Sequence, residues 1–242
     1  MTRWQESRVV ENRAWTEALF SLRVEGAPLS FEPGQFVRIA LDIDGERVAR
    51  PFSIVNAPAE PALEFYGIVV PEGPLSPRLA RLQPGDTLYV APNPAGFLVL
   101  SELPDAETLW LLATGTGIAP FVSMLRAATP WKRFRNVVLV HAVRHANELA
   151  YQDEMKRLPN LKYVSVVSRE DAPGSLRGRI PALIGDGRLE AAAGFEFAVE
   201  SSQVMLCGNP DMLKDTTAVL AARGLRKNRR RTPGHITSES FW

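Results

Sequence analysis

Apolar and polar positions alternate in short segments through the first hundred residues, the pattern of strands with one buried face. The segments are "ALFSLRV", "QFVRIALDI", "RVARPFSIV", "ALEFYGIVV" and "DTLYVAP". Turn signals separate them at Pro33-Gly34, Asp44-Gly45 and Pro84-Gly85. One stretch, "LSPRLARL", has helical spacing instead, with Ser76 suited to the N-cap and Pro77 to the first helical position. Many short strands with one short helix predict an antiparallel β-barrel.

After about residue 103 the pattern changes to uniformly apolar runs that alternate with helical segments. The runs are "TLWLLAT", "NVVLVHA", "KYVSVVS" and "QVMLCG", and the clearest helices are "NELAYQDEMKRL" and "NPDMLKDTTAVLAARG". Strands that alternate with helices predict a parallel sheet with helices on both faces. We therefore predict a β-barrel domain at 1–102 and a doubly wound α/β domain at 103–242.

Composition and hydropathy favour a soluble protein of ordinary make-up. The chain of 242 residues has 45% hydrophobic and 23% charged residues, which is typical of globular domains. Its longest uncharged run, between Glu107 and Arg126, contains glycines and a proline, so it suits a strand–turn–helix better than a membrane span. The N-terminal "MTRWQESRVV" lacks an apolar signal core. We expect a cytoplasmic protein without membrane insertion.

The cysteine and histidine content excludes several kinds of chemistry. Cys207 is the single cysteine, so the chain has no internal disulfide and cannot hold an iron–sulfur cluster on four thiolates. The three histidines have no zinc-ligand spacing with it. We predict no metal site, and the nearly neutral overall charge gives no indication of nucleic-acid binding.

The charge is unevenly distributed at the C-terminal end of the chain. Residues 223–242 carry six Lys/Arg and one acid, Glu239. This basic run is typical of a solvated helix end, and it is equally typical of a docking surface for an acidic partner.

The segment "TGTGIAP" is a candidate nucleotide-binding turn. It follows the first apolar strand of the second domain, and Pro120 begins the next helix. In doubly wound sheets ligands bind at the carboxyl ends of strands, where a helix N-terminus favours phosphate. A tight turn alone would also explain both glycines.

Arginines follow the second and third strands of that domain. Arg144 and Arg169 lie at the predicted carboxyl edge with Ser168, and "GSLRGRIP" adds Arg177 and Arg179. Basic groups there select the 2′-phosphate of NADP over NAD. The neighbouring acids of "SRED" weaken this interpretation, and each arginine alone could be ordinary surface charge.

The stretch "RPFSIVNAP" is unusual for a strand because it combines Arg50, Phe52 and Ser53. A flat cofactor would use the ring for stacking, the hydroxyl near a reactive nitrogen and the guanidinium for a pyrophosphate. "LSPRL" offers a second phosphate site through Ser76. Phe52 alone is more typical of a core residue than of a cofactor contact, and Cys207 is more typical of a small buried apolar residue than of a nucleophile.

Six motifs occur in one order along the chain: "RPFSIVNAP", "LSPRL", "ATGTGIAPF", "VSRE…GRIP", "MLCGNPDM" and "PGHITSESFW". In this order the sequence resembles the bacterial ferredoxin (flavodoxin)–NADP reductases from end to end. The resemblance implies an FAD-binding barrel followed by an NADP-binding α/β domain.

The resemblance also implies site residues. Those for FAD are Arg50, Pro51, Phe52, Ser53, Tyr66, Gly67, Ile68, Val69, Pro74, Leu75, Ser76, Thr116, Phe241 and Trp242. Those for NADP are Arg144, Ser168, Arg169, Arg179, Asn209, Pro210 and Asp211. Those near the reacting rings are Ser53, Cys207, Glu239 and Phe241. Phe52 replaces the tyrosine that the family has, so a phenolic hydrogen bond is lost while ring stacking is kept.

The implied activity is hydride transfer between NADP(H) and FAD, coupled to one-electron exchange with ferredoxin or flavodoxin, which are acidic carriers. Phe241 would lie over the second flavin face and Trp242 against the FAD adenine, although a hydrophobic tail packed on the core would also end in two aromatics. We expect a monomer. The alternatives are a reductase component of an oxygenase system and a non-catalytic nucleotide-binding module.

Overall fold

The computed structural model describes residues 3–240 and arranges them as two six-stranded sheets. The first sheet is antiparallel throughout, with strand order β4-β3-β6-β1-β2-β5. Its strands are β1 (Gln5–Ala14), β2 (Leu19–Glu25), β3 (Phe36–Ile43), β4 (Glu46–Ser53), β5 (Leu63–Ile68) and β6 (Thr87–Val90).

The two edges of this sheet meet and close it into a barrel. Ile54, which follows β4, forms an antiparallel bridge with Phe65 of β5. The next backbone N–H, of Val55, donates to the carbonyl of Glu64 at 2.9 Å. Alternate side chains such as those of Leu22 and Ile39 fill the interior and are fully buried. The short helix α1 (Ser76–Leu79) adds Leu79 to the same core.

The second sheet is parallel, with strand order β10-β9-β8-β7-β11-β12. Its strands are β7 (Thr108–Thr114), β8 (Asn136–Val143), β9 (Leu161–Val167), β10 (Leu176–Arg177), β11 (Ser202–Gly208) and β12 (Ile236–Ser240). The helices are α2 (Ala119–Arg126), α3 (Thr129–Arg133), α4 (Gln152–Lys156), α5 (Ile180–Gly185), α6 (Arg188–Ala193) and α7 (Pro210–Ala222), and 3-10 turns span 100–102, 115–118 and 146–148.

Helices cover both faces of the parallel sheet. Phe121 of α2 and Met155 of α4 pack on one face, and Leu183, Leu189 and Leu220 of α5, α6 and α7 pack on the other. The predicted combination of an antiparallel barrel with a doubly wound α/β lobe is confirmed. Within residues 3–240 no helix has the length and hydropathy to cross a membrane.

The barrel packs on the α2 face of the parallel sheet. The core on that face continues from β7 and α2 into Leu19, Val55 and Tyr66 of the barrel. The two lobes therefore share apolar packing, although the division at residue 102 remains a prediction.

Two of the longer strands, β1 and β12, lack a sequence signal strong enough to predict them, as does the two-residue β10. β1 reads QESRVVENRA and has only two buried residues, Ser7 and Val9, because most of its length faces solvent. β12 reads ITSES and is a strand because its backbone pairs with β11 from Val204–Ile236 to Gly208–Ser240.

Two local predictions are wrong, and one of the two interpretations left open for the basic run holds only for its first residue, Arg223. Ser76 is not an N-cap: Leu75 precedes the four-residue helix, and the Ser76 hydroxyl instead accepts a hydrogen bond from Val70 N at 2.9 Å. The predicted helix at 147–158 is divided by Tyr151, whose φ of 61° ends one helical path and begins α4. The basic run is not helical beyond α7, because Arg229 and Thr232 form a turn that leads back to β12.

Candidate functional site

A cleft of about 390 Å³ opens where the barrel meets the α/β lobe. Its walls come from β4, β5, the loop before α1, the 3-10 turn at 115–118 and β12. The lining residues are Phe36, Arg50, Pro51, Phe52, Ser53, Tyr66, Gly67, Ile68, Val70, Gly73, Pro74, Leu75, Ser76, Thr116, Glu239 and Ser240. The cleft thus collects residues that are far apart in sequence, from both lobes.

The predicted flavin residues gather in this cleft with few exceptions. Val69 does not line it, because its side chain packs against the barrel core. Phe241 and Trp242 lie outside the described residues, and Ser240, the last one described, lines the cleft. Sequence reasoning missed Phe36, Val70, Gly73 and Ser240. Phe36 had a weak signal, since "EPGQFV" places an aromatic residue directly after a turn.

Phe52 packs on the barrel core and also lines the cleft. Its ring lies edge-on to Phe65 at a centroid distance of 6.4 Å, so it packs on the barrel core, and it also lines the cleft. Gly67 makes room for it: a Cβ there would lie 2.8 Å from Phe52 Cε1 and 3.0 Å from Phe20 Cζ. The absence of a side chain on β5 therefore allows an aromatic ring to form the wall.

Three polar groups in the cleft are buried without a partner. Ser53 Oγ, Tyr66 OH and Glu239 Oε1 have no hydrogen-bond partner within residues 3–240. Buried polar atoms are normally paired, and an unpaired one costs free energy. Three such atoms among the lining of one largely apolar cleft fit a flat ligand with hydrogen-bonding edges, which is the chemistry of a flavin ring.

Two of these groups are shifted towards their neutral forms. Burial raises the pKa of the Glu239 carboxyl to about 7. Burial, assisted by the charge of Glu148, raises the pKa of Tyr66 well above its ordinary value. A neutral carboxylic acid and a phenol can each donate a hydrogen bond to a bound ligand.

Cys207 lies beside this site and does not line it. The residue is fully buried on β11, in register with Glu239 of β12. Burial, followed by the charge of Glu239, raises the pKa of the thiol, so it is not an activated nucleophile. Gly117 is small because of this strand: a Cβ on it would lie 2.7 Å from the Cys207 carbonyl carbon.

The turn at 115–118 is held from both neighbouring strands. His141 of β8 is fully buried, and burial lowers its pKa to about 4, so it is neutral. Its Nε2 lies 3.1 Å from the Gly115 carbonyl, and the neutral ring donates to it. On the other side, Asn209 N donates to Thr114 Oγ1 at 2.9 Å. This places Thr116 in the cleft, at the carboxyl edge of the sheet.

The predicted NADP arginines lie together at the same carboxyl edge. Arg169 N donates to the Arg144 carbonyl at 3.0 Å, so these two residues are adjacent. Both side chains and that of Arg179 are exposed, and none forms an ion pair with an acid that the structure describes. Ser168 Oγ donates to the Val143 carbonyl at 3.2 Å. The three guanidinium groups are available for an anionic ligand.

The acids that weakened the NADP interpretation are engaged elsewhere. Glu170 accepts a hydrogen bond from Ala146 N at 2.7 Å and pairs with His145 at 3.3 Å. The hydrogen bond from Ala146 N, followed by the contact with His145, lowers the pKa of the Glu170 carboxyl. Asp171 pairs with Arg177 at 2.8 Å. Neither carboxylate neutralises the three free arginines.

Asn209, Pro210 and Asp211 form the start of α7 and do not line the cleft. The Asn209 side chain is the N-cap and accepts from Asp211 N at 2.9 Å and Met212 N at 3.2 Å. All three residues are exposed at the carboxyl end of β11.

This fold and cleft define a class of protein: a two-lobe oxidoreductase with a flavin-binding barrel and a pyridine-nucleotide-binding α/β lobe. A family model for the oxidoreductase FAD-binding domain matches residues 7–97, and one for the oxidoreductase NAD-binding domain matches residues 111–218.

Relatives over the whole chain narrow the class to one family. A flavodoxin/ferredoxin–NADP reductase of Shigella flexneri is 51% identical, and that of Escherichia coli strain K12 is 50% identical, each over 248 residues and 100% of both chains. A solved ferredoxin NADP+ reductase from Neisseria gonorrhoeae with bound FAD and NADP superimposes with a TM-score of 0.96, at 32% identity and 100% coverage of both chains. The chain belongs to the flavodoxin/ferredoxin–NADP reductase family.

Proposed function

We propose that the protein transfers a hydride between NADP(H) and FAD bound in the cleft, and exchanges single electrons with ferredoxin or flavodoxin. FAD supplies the conversion between two-electron and one-electron chemistry when it is bound. The observation that carries this proposal is the cleft itself. It is lined by both lobes and contains three buried polar atoms, on Ser53, Tyr66 and Glu239, that lack partners within the described chain.

The barrel residues bind and orient the flavin in this proposal. Phe52 would lie against one face of the ring, and Gly67 leaves the Phe52 side chain room to line the cleft. The Ser53 hydroxyl, which has no partner within the described chain, would hydrogen-bond the reactive edge and so align the ring and remove the cost of an unpaired hydroxyl. Arg50 is exposed at the cleft and would bind the pyrophosphate together with the loop at 74–76. Ser76 accepts from Val70 N, so its own hydroxyl hydrogen remains available to a phosphate.

The α/β lobe binds NADP(H) through the free arginines at the sheet edge. Arg144, Arg169 and Arg179 would contact the 2′-phosphate region, supported by Ser168. The start of α7, from Asn209 to Asp211, would hold the nicotinamide half. Cys207 would provide a small wall beside the nicotinamide, and Glu239 and Thr116 would contact the flavin from the α/β side. Phe241 and Trp242 would cover the second flavin face and the adenine.

An acidic electron carrier fits the surface next to the cleft. A second cleft of about 670 Å³ shares Phe36 and Glu239 with the first. It is lined by Phe97, which at 63% is the most exposed large apolar side chain within residues 3–240, and by Lys227 and Arg229. We call Phe97, Lys227, Arg229 and Arg230 the basic rim. We also propose that the protein acts as a monomer, because a single chain forms the whole carrier site. We further propose that it acts in the cytoplasm.

Rapid mixing of the purified protein with NADPH and, separately, NADH tests the proposal. We expect bound FAD, fast bleaching of its absorbance by NADPH and slow bleaching by NADH. Ser53→Ala should keep FAD bound and slow the bleaching. Arg169→Ala should weaken NADPH binding more than NADH binding. Lys162→Gln, on the exposed amino end of β9, is the control and should change neither.

Protein without a flavin spectrum, or a flavin that NADPH does not reduce, would end the proposal. Equal losses for NADPH and NADH in Arg169→Ala would remove only the 2′-phosphate assignment. A deletion of Phe241 and Trp242 should tighten nicotinamide binding, because Phe241 would otherwise cover the flavin face that the nicotinamide has to reach. No change in affinity would mean that the tail does not compete with the nicotinamide.

A further inference from the structure

A group of buried charges crosses the boundary between the lobes. Arg126, the last residue of α2, places Nη1 2.6 Å from Glu64 Oε2 on β5 of the barrel. Its Nε and Nη2 contact both carboxylate oxygens of Glu154 on α4, at 2.7 and 2.9 Å. The side chains of Arg126 and Glu64 are 18% and 10% exposed. One guanidinium therefore joins a barrel strand to two helices of the other lobe.

Tyr151 completes this group from a strained backbone position. Its hydroxyl donates to Glu64 Oε1 at 2.8 Å, and its ring contacts Trp15 and Tyr66 of the barrel at centroid distances of 4.8 and 5.3 Å. A φ of 61° is rare for a bulky residue and costs free energy. The left-handed conformation persists because it brings the phenol onto a barrel carboxylate. We call Glu64, Arg126, Tyr151 and Glu154 the interlobe clamp.

A second line of hydrogen bonds joins the same two elements. Ser123 Oγ of α2 donates to the Asn56 carbonyl at 2.7 Å, and Asn56 Oδ1 accepts from Glu64 N at 2.9 Å. Ser123, Asn56 and Glu64 are all buried. Both carboxylate oxygens of Glu64 and its backbone N–H are therefore satisfied by groups at the lobe boundary.

Burial of the clamp's charges adds little to the free energy of folding, but their hydrogen bonds fix the geometry of the contact between the lobes. Burial acts to lower the pKa of Arg126, but the hydrogen bonds and charges of Glu154 and Glu64 raise it above its ordinary value. Desolvation of a buried ion pair offsets most of its attraction, so an apolar contact could hold the lobes as tightly. What a bidentate guanidinium adds is directional contact with fixed atoms.

The clamp joins β5, which lines the flavin cleft, to α2, which directly follows a turn that lines it from the other lobe. Glu64 and Tyr66 are two residues apart on β5, and Tyr66 lines the cleft. α2, which ends at Arg126, begins directly after the turn that brings Thr116 into the cleft. A shift at the clamp would therefore move the Thr116 turn relative to the barrel.

We propose that Arg126 and Glu64 are positioning residues for hydride transfer: they set the angle between the lobes and thereby the alignment of the nicotinamide with the flavin. This inference rests on the proposed function. Hydride transfer depends steeply on donor–acceptor geometry, so a shift of about 1 Å can cost on the order of 10²-fold in rate.

The test uses the double variant Glu64→Gln/Arg126→Gln, in which no buried charge is left unpaired on the barrel strand. We expect hydride transfer at saturating NADPH to fall about tenfold, with a weaker long-wavelength absorbance from nicotinamide–flavin contact. FAD content and the affinity for 2′,5′-ADP, a probe of the α/β lobe alone, should stay within about twofold. Arg126→Lys should have a rate between those of the double variant and the wild type. Its ammonium keeps the positive charge, but it cannot bridge two carboxylates bidentately as the guanidinium does.

Two further variants separate positioning from stability. Arg135→Gln breaks an exposed pair with Glu107 inside the α/β lobe and should leave the rate unchanged. Tyr151→Phe removes one hydrogen bond from the clamp and should lower the rate about two- to fivefold, which keeps the inference testable if the double variant does not fold. Calorimetry should resolve two unfolding transitions in the double variant where the wild type has one.

A double variant with an unchanged rate and only a lower Tm would overturn the inference, as would unchanged transfer in Tyr151→Phe when the double variant does not fold. Failure of the proposed function looks different, because the wild type itself would then lack flavin or reduction by NADPH. In that case calorimetry still reports whether the clamp couples the lobes, and a single transition in the double variant would refute the coupling.

Discussion

At the scale of single residues, the shape of the cleft depends on glycines as much as on the side chains that line it. Gly67 has an ordinary backbone conformation, so its smallness is explained by the rings of Phe52 and Phe20 against it. Gly117 is small because a strand carbonyl passes close to it. Neither reason is visible in the sequence, because both contacts are made by residues distant along the chain.

Gly67→Ala should weaken flavin binding by displacing the Phe52 ring. A Cβ 2.8 Å from Phe52 Cε1 forces the ring to move or the strand to shift, and such overpacking costs roughly 1–3 kcal/mol. We expect the FAD dissociation constant, measured by fluorescence titration of the flavin-free protein, to rise about tenfold or more. Gly185→Ala, where a Cβ meets nothing within 4 Å, is the control. Equal affinity in both variants would contradict this role for Gly67.

Glu239→Gln should change how stability depends on pH. The folded-state pKa of about 7 lies above the ordinary 4.5, so this group stabilises fully below pH 4.5 and less as the pH rises to 7. The loss is on the order of 3 kcal/mol at most. The glutamine variant has no carboxyl to ionise, so it lacks this loss. The difference in unfolding free energy between variant and wild type should therefore shift in favour of the variant between pH 4.5 and 7, as measured by urea titrations of flavin-free protein. Curves as parallel as those of the exposed control Glu72→Gln would contradict the assignment.

At the scale of elements, the buried strands were predictable and the exposed ones were not. "TLWLLAT" coincides with β7, because a central parallel strand is buried on both faces and must be apolar throughout. β1 and β12 are polar, and their hydrogen bonds to β2, β6 and β11 make them strands. Tertiary pairing of this kind leaves no local pattern to read.

The candidate site shows the same division. Arg50, Phe52 and Ser53 drew attention because a charge, a ring and a hydroxyl rarely share a strand end, and all three line the cleft. Ser76 was placed on the right loop for the wrong reason, since it accepts from Val70 N rather than capping α1. Tyr151 gave no signal: its left-handed conformation depends on a carboxylate 87 residues away.

Asn209→Ala should destabilise α7 by about 1 kcal/mol, because two backbone N–H groups lose the side chain that caps them. Chemical unfolding measures this directly. Asn209→Asp keeps an acceptor in place and should retain most of the stability. If both substitutions cost the same, the side-chain cap does not contribute to the stability of the protein.

At the scale of the whole molecule, charge is concentrated where the two lobes open. Arg230 pairs with Glu102 at 3.0 Å and lies over the Phe97 ring at 4.3 Å, whereas Lys227 and Arg229 have no acidic partner that the structure describes. An exposed aromatic ring that shares a cleft with two unpaired cations beside the flavin site favours an acidic protein partner. Arg223 ends α7, and the rest of the basic cluster lies in the turn that borders the cleft.

The triple variant Phe97→Ala/Lys227→Gln/Arg229→Gln should lose carrier reduction and keep flavin chemistry. We expect kcat/KM for an acidic ferredoxin or flavodoxin to fall about tenfold at low salt, with a shallower dependence on ionic strength, because exposed charges steer association only within a Debye length of about 10 Å at 0.1 M salt. Reduction of benzoquinone, a neutral acceptor, should stay within about twofold. Lys162→Gln, at the amino end of β9, should behave as wild type. An equal loss of kcat/KM with benzoquinone would mean that the basic rim acts on the flavin site rather than on the carrier. An unchanged dependence on ionic strength would mean that the carrier binds another face of the protein.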